Sequence, residues 1–277
     1  MKKIVSYIIC IILVAIILVA TAIHIASNTV LNKNYVLEKL DNNNYYEKTY
    51  DNIKSSFSQY ILQSGLDENV IENLYTKEQI KEDVDIVISN IYSDENQKVD
   101  TNKIKNNMES NINKYLEDNN IKLNATQKKS IDKFIETIER TYEEEISYSA
   151  YLNKIGNKVY KINKIIEKMQ PVIYGSIIAL FLILILINVK EISFGINYAG
   201  VTILSSGIAN ILIKMYINSK ININKIMIIN EDISKIVINI LNEIVNYIQN
   251  YGLVMVAIGL AIVILASFIR NSKTEEM

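Results

Sequence analysis

The chain contains a single imidazole, His24, and a single thiol, Cys10. Both lie in one long apolar run near its start. A zinc centre needs several nitrogen or sulfur ligands, and nucleophilic catalysis needs a nucleophile beside a positioned base. With one histidine and no thiol partner, zinc sites and Ser/His or Cys/His catalysis are not expected. Lone Cys10 closes no intramolecular disulfide and builds no thiolate cluster. Carboxylate or Ser/Lys chemistry stays open on these grounds.

The carboxylates cluster twice, as Glu82, Asp83 and Asp85 in "KEDVD" and as "EEE" at 143–145. Cation binding asks for oxygens converging from a sharply turning loop. Both clusters sit within helical patterns, where neighbouring side chains fan outward, so a solvated face is expected for each. No segment fits the calcium-loop pattern. The reading is therefore of a non-enzyme with no catalytic residue, no metal and no cofactor.

The other candidate is "SFGINYAGVTILSSGIAN" at 193–210. Gly195, Ala199, Thr202, Ser206 and Asn210 recur there at helical spacing, with Asn197 beside them. In lipid, small residues let backbones approach, and cross-helix hydrogen bonds contribute about 1 kcal/mol each. Helix packing is the expected role, with a substrate path as the alternative. Gly252 and Gly259 further on, and Gly175 with Ala179, are spaced to meet packing partners.

These residues are carried by four stretches apolar enough to cross a bilayer, at 4–26, 171–189, 192–213 and 252–269. Each approaches the roughly 20 residues a spanning helix needs. "ATA" at 20–22 could end a signal peptide, but the apolar run continues past it, so an uncleaved anchor is expected. Lys2 and Lys3 before the first span, and Arg270 with Lys273 after the last, predict both termini in the cytoplasm. Lysines 214, 220, 225 and 235, in the loop this places outside, run against that orientation. Tyr174, Tyr216, Tyr247 and Tyr251 fall near the outer ends, where an amphipathic ring suits the headgroup zone.

Residues 28–170 read as helices joined by polar turns. One stripe runs Tyr46, Tyr50, Ile53, Phe57, Tyr60 and Ser64, with Gly65 as a stop signal. Thr76 with Gln79, and Asn124 with Gln127, stand at capping-box spacing. Further stripes run Ile80, Val84, Val87, Ile88, Ile91; Ile104, Met108, Ile112, Tyr115; and Ile131, Phe134, Ile135, Ile138, Tyr142, Ile146. Such faces bury against one another. The pattern continues past Gly156, the one weak point, to Pro171, the only proline. Proline either starts a helix or kinks a continuous one. It is read here as a junction between an aqueous stalk and the second span, or as an initiator at the interface.

The predicted fold is all-α: four transmembrane helices plus an extracytoplasmic helical bundle inserted between spans one and two. The domains expected are an anchor at 1–27, the helical domain at 28–170 and a three-span domain at 171–277. The last includes an outer amphipathic helix near 230–249, lying on the membrane or docked on the bundle. A net charge of −1 gives no electrostatic case for nucleic acid. Heavy use of Ile, Asn and Lys suggests AT-rich coding.

Together with "NYVLEKLDNNNYYEKTYDNI" and "LQSGLDENVIENLYTKEQIKEDVDIVISNIY", this layout resembles uncharacterised four-span membrane proteins of low-GC Gram-positive bacteria. The resemblance carries no activity with it. The span order is also similar to permease-like partners of ABC ATPases, in topology alone. The expected function is binding or sensing by the outer domain within an envelope complex at the cell membrane, the alternative a permease-like subunit. The partners implied are the lipid bilayer and a protein partner or a second copy.

Overall fold

The computed structural model describes residues 2–147, 149–226 and 231–275, and the side chains of all of these except 147, 149–157 and 272–275. Among the described residues there are nine α-helices and no strand, so the all-α class expected from the sequence holds. Four stretches are long and apolar enough to cross a membrane: Lys2–Asn28, Lys158–Ile187, Val189–Lys225 and Glu231–Asn271. That fits an integral membrane protein. The chain divides into two units, Lys33–Ile162 and the flanking Met1–Asn32 with Asn163–Met277.

The flanking unit contains α1 (Lys2–Asn28), the second half of a long helix ending at Ile187, and two further long helices. The smaller helices of the other unit come between these in the chain: α2 (Lys33–Asn42), α3 (Tyr45–Ser64), α4 (Lys77–Tyr92), α5 (Asn102–Asp118) and α6 (Ala125–Ser147). The long helices that follow are α7 (Ser149–Ile187), α8 (Ile192–Lys220) and α9 (Glu231–Glu275).

In the Lys33–Ile162 unit, the apolar stripes meet as a core. Ile53, Phe57 and Ile61 of α3 are buried with Ile80 and Val84 of α4, Ile104, Met108 and Ile112 of α5, and Ile138, Tyr142 and Ile146 of α6. The helix ends are set by the residues that signal them. Gly65 ends α3 at φ 74°, its amide bonded to Ile61 O, a left-handed conformation that costs glycine nothing. Thr76 Oγ1 accepts from Gln79 N at 3.1 Å. Asn124 and Gln127 cap reciprocally, each side chain accepting from the other's amide at 2.9 Å.

The flanking unit is an antiparallel assembly of long helices. Tyr7 of α1 packs edge-on against Tyr198 of α8, and Ser6 Oγ accepts from Asn188 Nδ2 at 3.0 Å beyond the end of α7. At the other end of α1, His24 meets Tyr174 of α7 and Tyr251 of α9. Gly200 and Gly207 of α8 face Val263 and Gly252 of α9 in reversed order. The helices therefore alternate in direction, and the first residues of α1 lie at the same end as the last turns of α9. A small apolar centre joins Ile9, Cys10 and Leu13 to Leu184 and Tyr198.

Two features depart from the sequence reading. Pro171 lies inside α7, which is already helical from Ser149, so it does not initiate a helix. Lacking an N–H, it leaves the Glu167 carbonyl without its usual partner one turn back. Glu231–Asn250 and the apolar stretch after it form one helix of 45 residues. At about 1.5 Å per residue it is longer than a hydrocarbon core of about 30 Å.

Candidate functional site

The sequence-selected stripe of α8 is divided between two faces, and two glycines outside it mark the one toward α9. Gly200 and Gly207 lie on the seam with α9, where a Cβ on Gly207 would stand 2.6 Å from Gly252 O and one on Gly200 3.0 Å from Val263 N. From the other side, a Cβ on Gly259 would stand 2.5 Å from Leu204 N, and one on Gly252 2.9 Å from Gly207 O. These are backbone-to-backbone approaches, and a methyl group has no room in them. Asn210 lies beside Gly252, its amide donating to Ser206 O at 3.2 Å and reaching Met255 Sδ at 3.7 Å.

Thr202 and Ser206 are buried. Their hydroxyls donate to the carbonyls of Tyr198 and Thr202, at 2.8 and 2.9 Å. The hydroxyls therefore satisfy themselves within α8, a pattern that tolerates an apolar surrounding. Gly195 faces Asn188 and Ile185, and Ala199 packs on the apolar centre around Leu13. Asn197 is half-buried. Gly175 and Ala179, expected to meet a packing partner, are both exposed, and nothing lies within 4 Å of a Cβ built on Gly175. Of the described residues in Lys158–Ile187, Leu184 alone is buried.

Polar groups gather at the end of this unit away from Ser6. Tyr174 Oη and His24 Nδ1 are 3.5 Å apart, Gln170 Nε2 approaches Tyr174 Oη, and the Tyr251 ring stands edge-on to His24 at 5.5 Å. Lys214 donates to Gln249 between α8 and α9.

In the Lys33–Ile162 unit, the solvated face expected for Glu82, Asp83 and Asp85 is not what forms. Glu82 is exposed, Asp85 half-buried and Asp83 buried. The helical period explains this. Asp83 follows Ile80 by three residues and precedes Val84 and Val87, which places it on the core stripe. Tyr142 Oη donates to its Oδ2 at 2.6 Å, and Gln79 is in hydrogen-bonding reach one turn earlier. Burial pushes the Asp83 carboxyl above its ordinary value, which the hydrogen bonds from Tyr142 and Gln79 partly oppose. Burial likewise raises the Tyr142, Tyr75 and Tyr46 phenols and pushes Tyr92 up to about 12. Asp85 accepts from Tyr46 Oη at 3.1 Å, and Glu145 accepts from Ser56 Oγ at 3.3 Å.

Two grooves flank the segment between α3 and α4. One of about 640 Å³ lies against α5, with Asp67, Glu72, Lys114 and Tyr115 in its lining. The other, about 430 Å³, includes Tyr50, Lys54, Glu68 and Tyr75. Asparagines of α5 hold the segment between them: Asn111 Nδ2 donates to Val70 O and Glu72 O, and Asn107 Nδ2 to Leu74 O. The sequence reading selected neither the grooves nor the asparagines. Asn107 and Asn111 are one turn apart on α5, beside Met108 and Ile112 of the core stripe, which is the signal that was available.

Gly200 and Gly207 were also not selected. They stand seven residues apart, as do Gly252 and Gly259, a repeat matching the heptad period of helices packed at a shallow angle. No family model, curated protein or solved structure matches this chain.

Proposed function

We propose that the chain is a multi-pass protein of a bacterial cell membrane whose helical unit, Lys33–Ile162, lies outside the cytoplasm and binds or senses a partner there. Both termini are cytoplasmic in this reading, and the protein belongs to an envelope complex. The partner is a second protein or another copy of the chain.

The observation that carries it is the use made of the α8 stripe. The glycines beside it, Gly200 and Gly207, are filled by α9, and the hydroxyls of Thr202 and Ser206 close back on their own helix. Side chains used this way hold helices together, which suits an anchor better than a substrate path. That leaves the water-compatible helices and their grooves as the surface available for recognition. The single histidine and cysteine of the sequence point away from the commonest catalytic constellations.

A photo-crosslinking residue at Lys114, beside the larger groove, tests the reading in native membranes. A discrete adduct of constant mass supports it, and a chain recovered alone under mild extraction refutes it. Ser93→Cys tests the orientation. An impermeant thiol reagent should label it on intact cells, and labelling only after lysis inverts the scheme. In the permease-like alternative, Asn197→Leu would abolish a flux at unchanged expression.

A further inference from the structure

The interior of the helical unit contains a carboxyl group without a counter-charge. Asp83 is buried at 7% exposure, and no salt bridge reaches it among the described residues. The charged groups around it are acids, Glu82 on its own helix and Asp100 just before α5. From α6 it meets Tyr142, whose ring touches Tyr75 from the segment before α4. From α3, Tyr46 reaches Asp85 instead. The nearby cations of α4 and α6 are engaged elsewhere, Lys77 with Glu47, Lys81 with Asp41 and Arg140 with Glu144. A carboxylate out of water with no cation is strongly disfavoured against its neutral form.

The hydrogen-bond inventory points the same way. Gln79 Oε1 is buried and has no partner, the one such side-chain atom among the described residues. An ionised Asp83 has only acceptors to present to it. A neutral carboxyl has one O–H to donate; the Gln79 amide lies against it one turn earlier, its N–H side favouring the ionised form and its Oε1, with the amide turned, accepting from the neutral one. With Tyr142 donating to one carboxyl oxygen and the acid proton directed to the Gln79 carbonyl, the cluster has a donor for each acceptor that lacks one.

We infer that Asp83 is a proton-binding site between α4 and α6, neutral when these helices are packed, so that its ionisation loosens their seam. The site is defined by the bundle's interior and holds whichever side of the membrane that unit occupies. Combined with the extracytoplasmic placement proposed above, on which this last step rests, it makes external pH a signal the unit reads.

The direction of the effect follows from linkage. Asp83 has a folded-state value above that of the unfolded chain, so its contribution to stability is complete at low pH. The contribution is lost as pH rises through the folded-state value. The full-length protein in lipid nanodiscs, titrated by difference infrared spectroscopy and hydrogen exchange, tests this. The wild type should show a neutral-carboxyl carbonyl band with a midpoint above the ordinary aspartate value of about 3.9. The band should be absent in Asp83→Asn. Exchange protection in α4 and α6, corrected for intrinsic rates, should fall by up to about tenfold per pH unit between about 3.9 and that midpoint, the limit for one linked proton, and level off above it. In Asp83→Asn it should stay flat.

Tyr142→Phe removes the donor that favours the ionised form, so its band should titrate at still higher pH. A band unchanged in Asp83→Asn, or protection profiles alike in the two proteins, overturns the inference. If Asp83→Asn does not fold, a Tyr142→Phe midpoint that stays put or moves down does the same. Failure to capture a partner from membranes would leave these readings untouched, so the two proposals fail separately.

Discussion

At the scale of single residues, the closest approaches in the membrane-type unit are made by glycine. Gly207→Ala and Gly259→Ala each force a methyl group onto backbone atoms of the facing helix, at 2.6 and 2.5 Å before relaxation. Overpacking of this kind costs about 1–3 kcal/mol. Each variant should therefore unfold at lower temperature in detergent. Gly175→Ala is the internal control, because its Cβ enters open space and alanine is the better helix former. It should leave thermal stability unchanged or slightly raised. Three equal losses would mean that the seam does not govern stability. The period of seven that marks the seam glycines was present in the sequence. Stripes at i, i+3 and i, i+4 do not mark Gly200 and Gly207, because a seam between two long helices follows the heptad and not a single turn.

At the scale of elements, the segment between α3 and α4 depends on side chains from α5 as much as on its own residues. Asn111→Ala removes the donor shared by Val70 O and Glu72 O, and such losses cost on the order of 1 kcal/mol each. The prediction is faster amide exchange across residues 66–76, with α3 and α5 little changed. Loss of protection throughout the unit would mean that Asn111 supports the core instead. Thr76 is a local case: its hydroxyl caps α4 at Gln79 N, and Thr76→Ala should cost about 1 kcal/mol. Thr76→Ser should restore most of that loss in thermal unfolding. The caps were legible from spacing because their partners are three residues away. The staple on Val70 and Glu72 was not, because its two sides are 39 to 41 residues apart in the chain.

At the scale of the whole chain, the alternation of α1, α7, α8 and α9 puts the two termini on one side of a membrane that all four cross. Epitope tags at the two termini should become accessible to protease on the same side of sealed vesicles, whichever side that is. Accessibility on opposite faces would mean that one of the four apolar helices does not cross. Continuity of α9 has a further consequence. Of the four lysines between the third and fourth apolar stretches, Lys214 and Lys220 lie within α8 and Lys235 within α9, and Lys225 alone stands in the turn between them. Lys214 is also engaged by Gln249. Three of the four are therefore helix-borne charges of a kind that can snorkel, and not those of a free loop.

The sequence alone determined the all-helical class, the four apolar stretches and the helix stops, because each rests on local backbone chemistry or on periodicity along one element. It also exposed the scarcity of imidazole and thiol. Only the tertiary structure decided which glycines are enclosed, that Gly175 looks outward, and that Asp83 is inside while Glu82 is not. Those outcomes depend on what packs against a helix face, and a helix carries its stripe without recording its partner. A buried carboxyl group beside a tyrosine 59 residues away becomes a coupled pair only when two faces close on each other and exclude water.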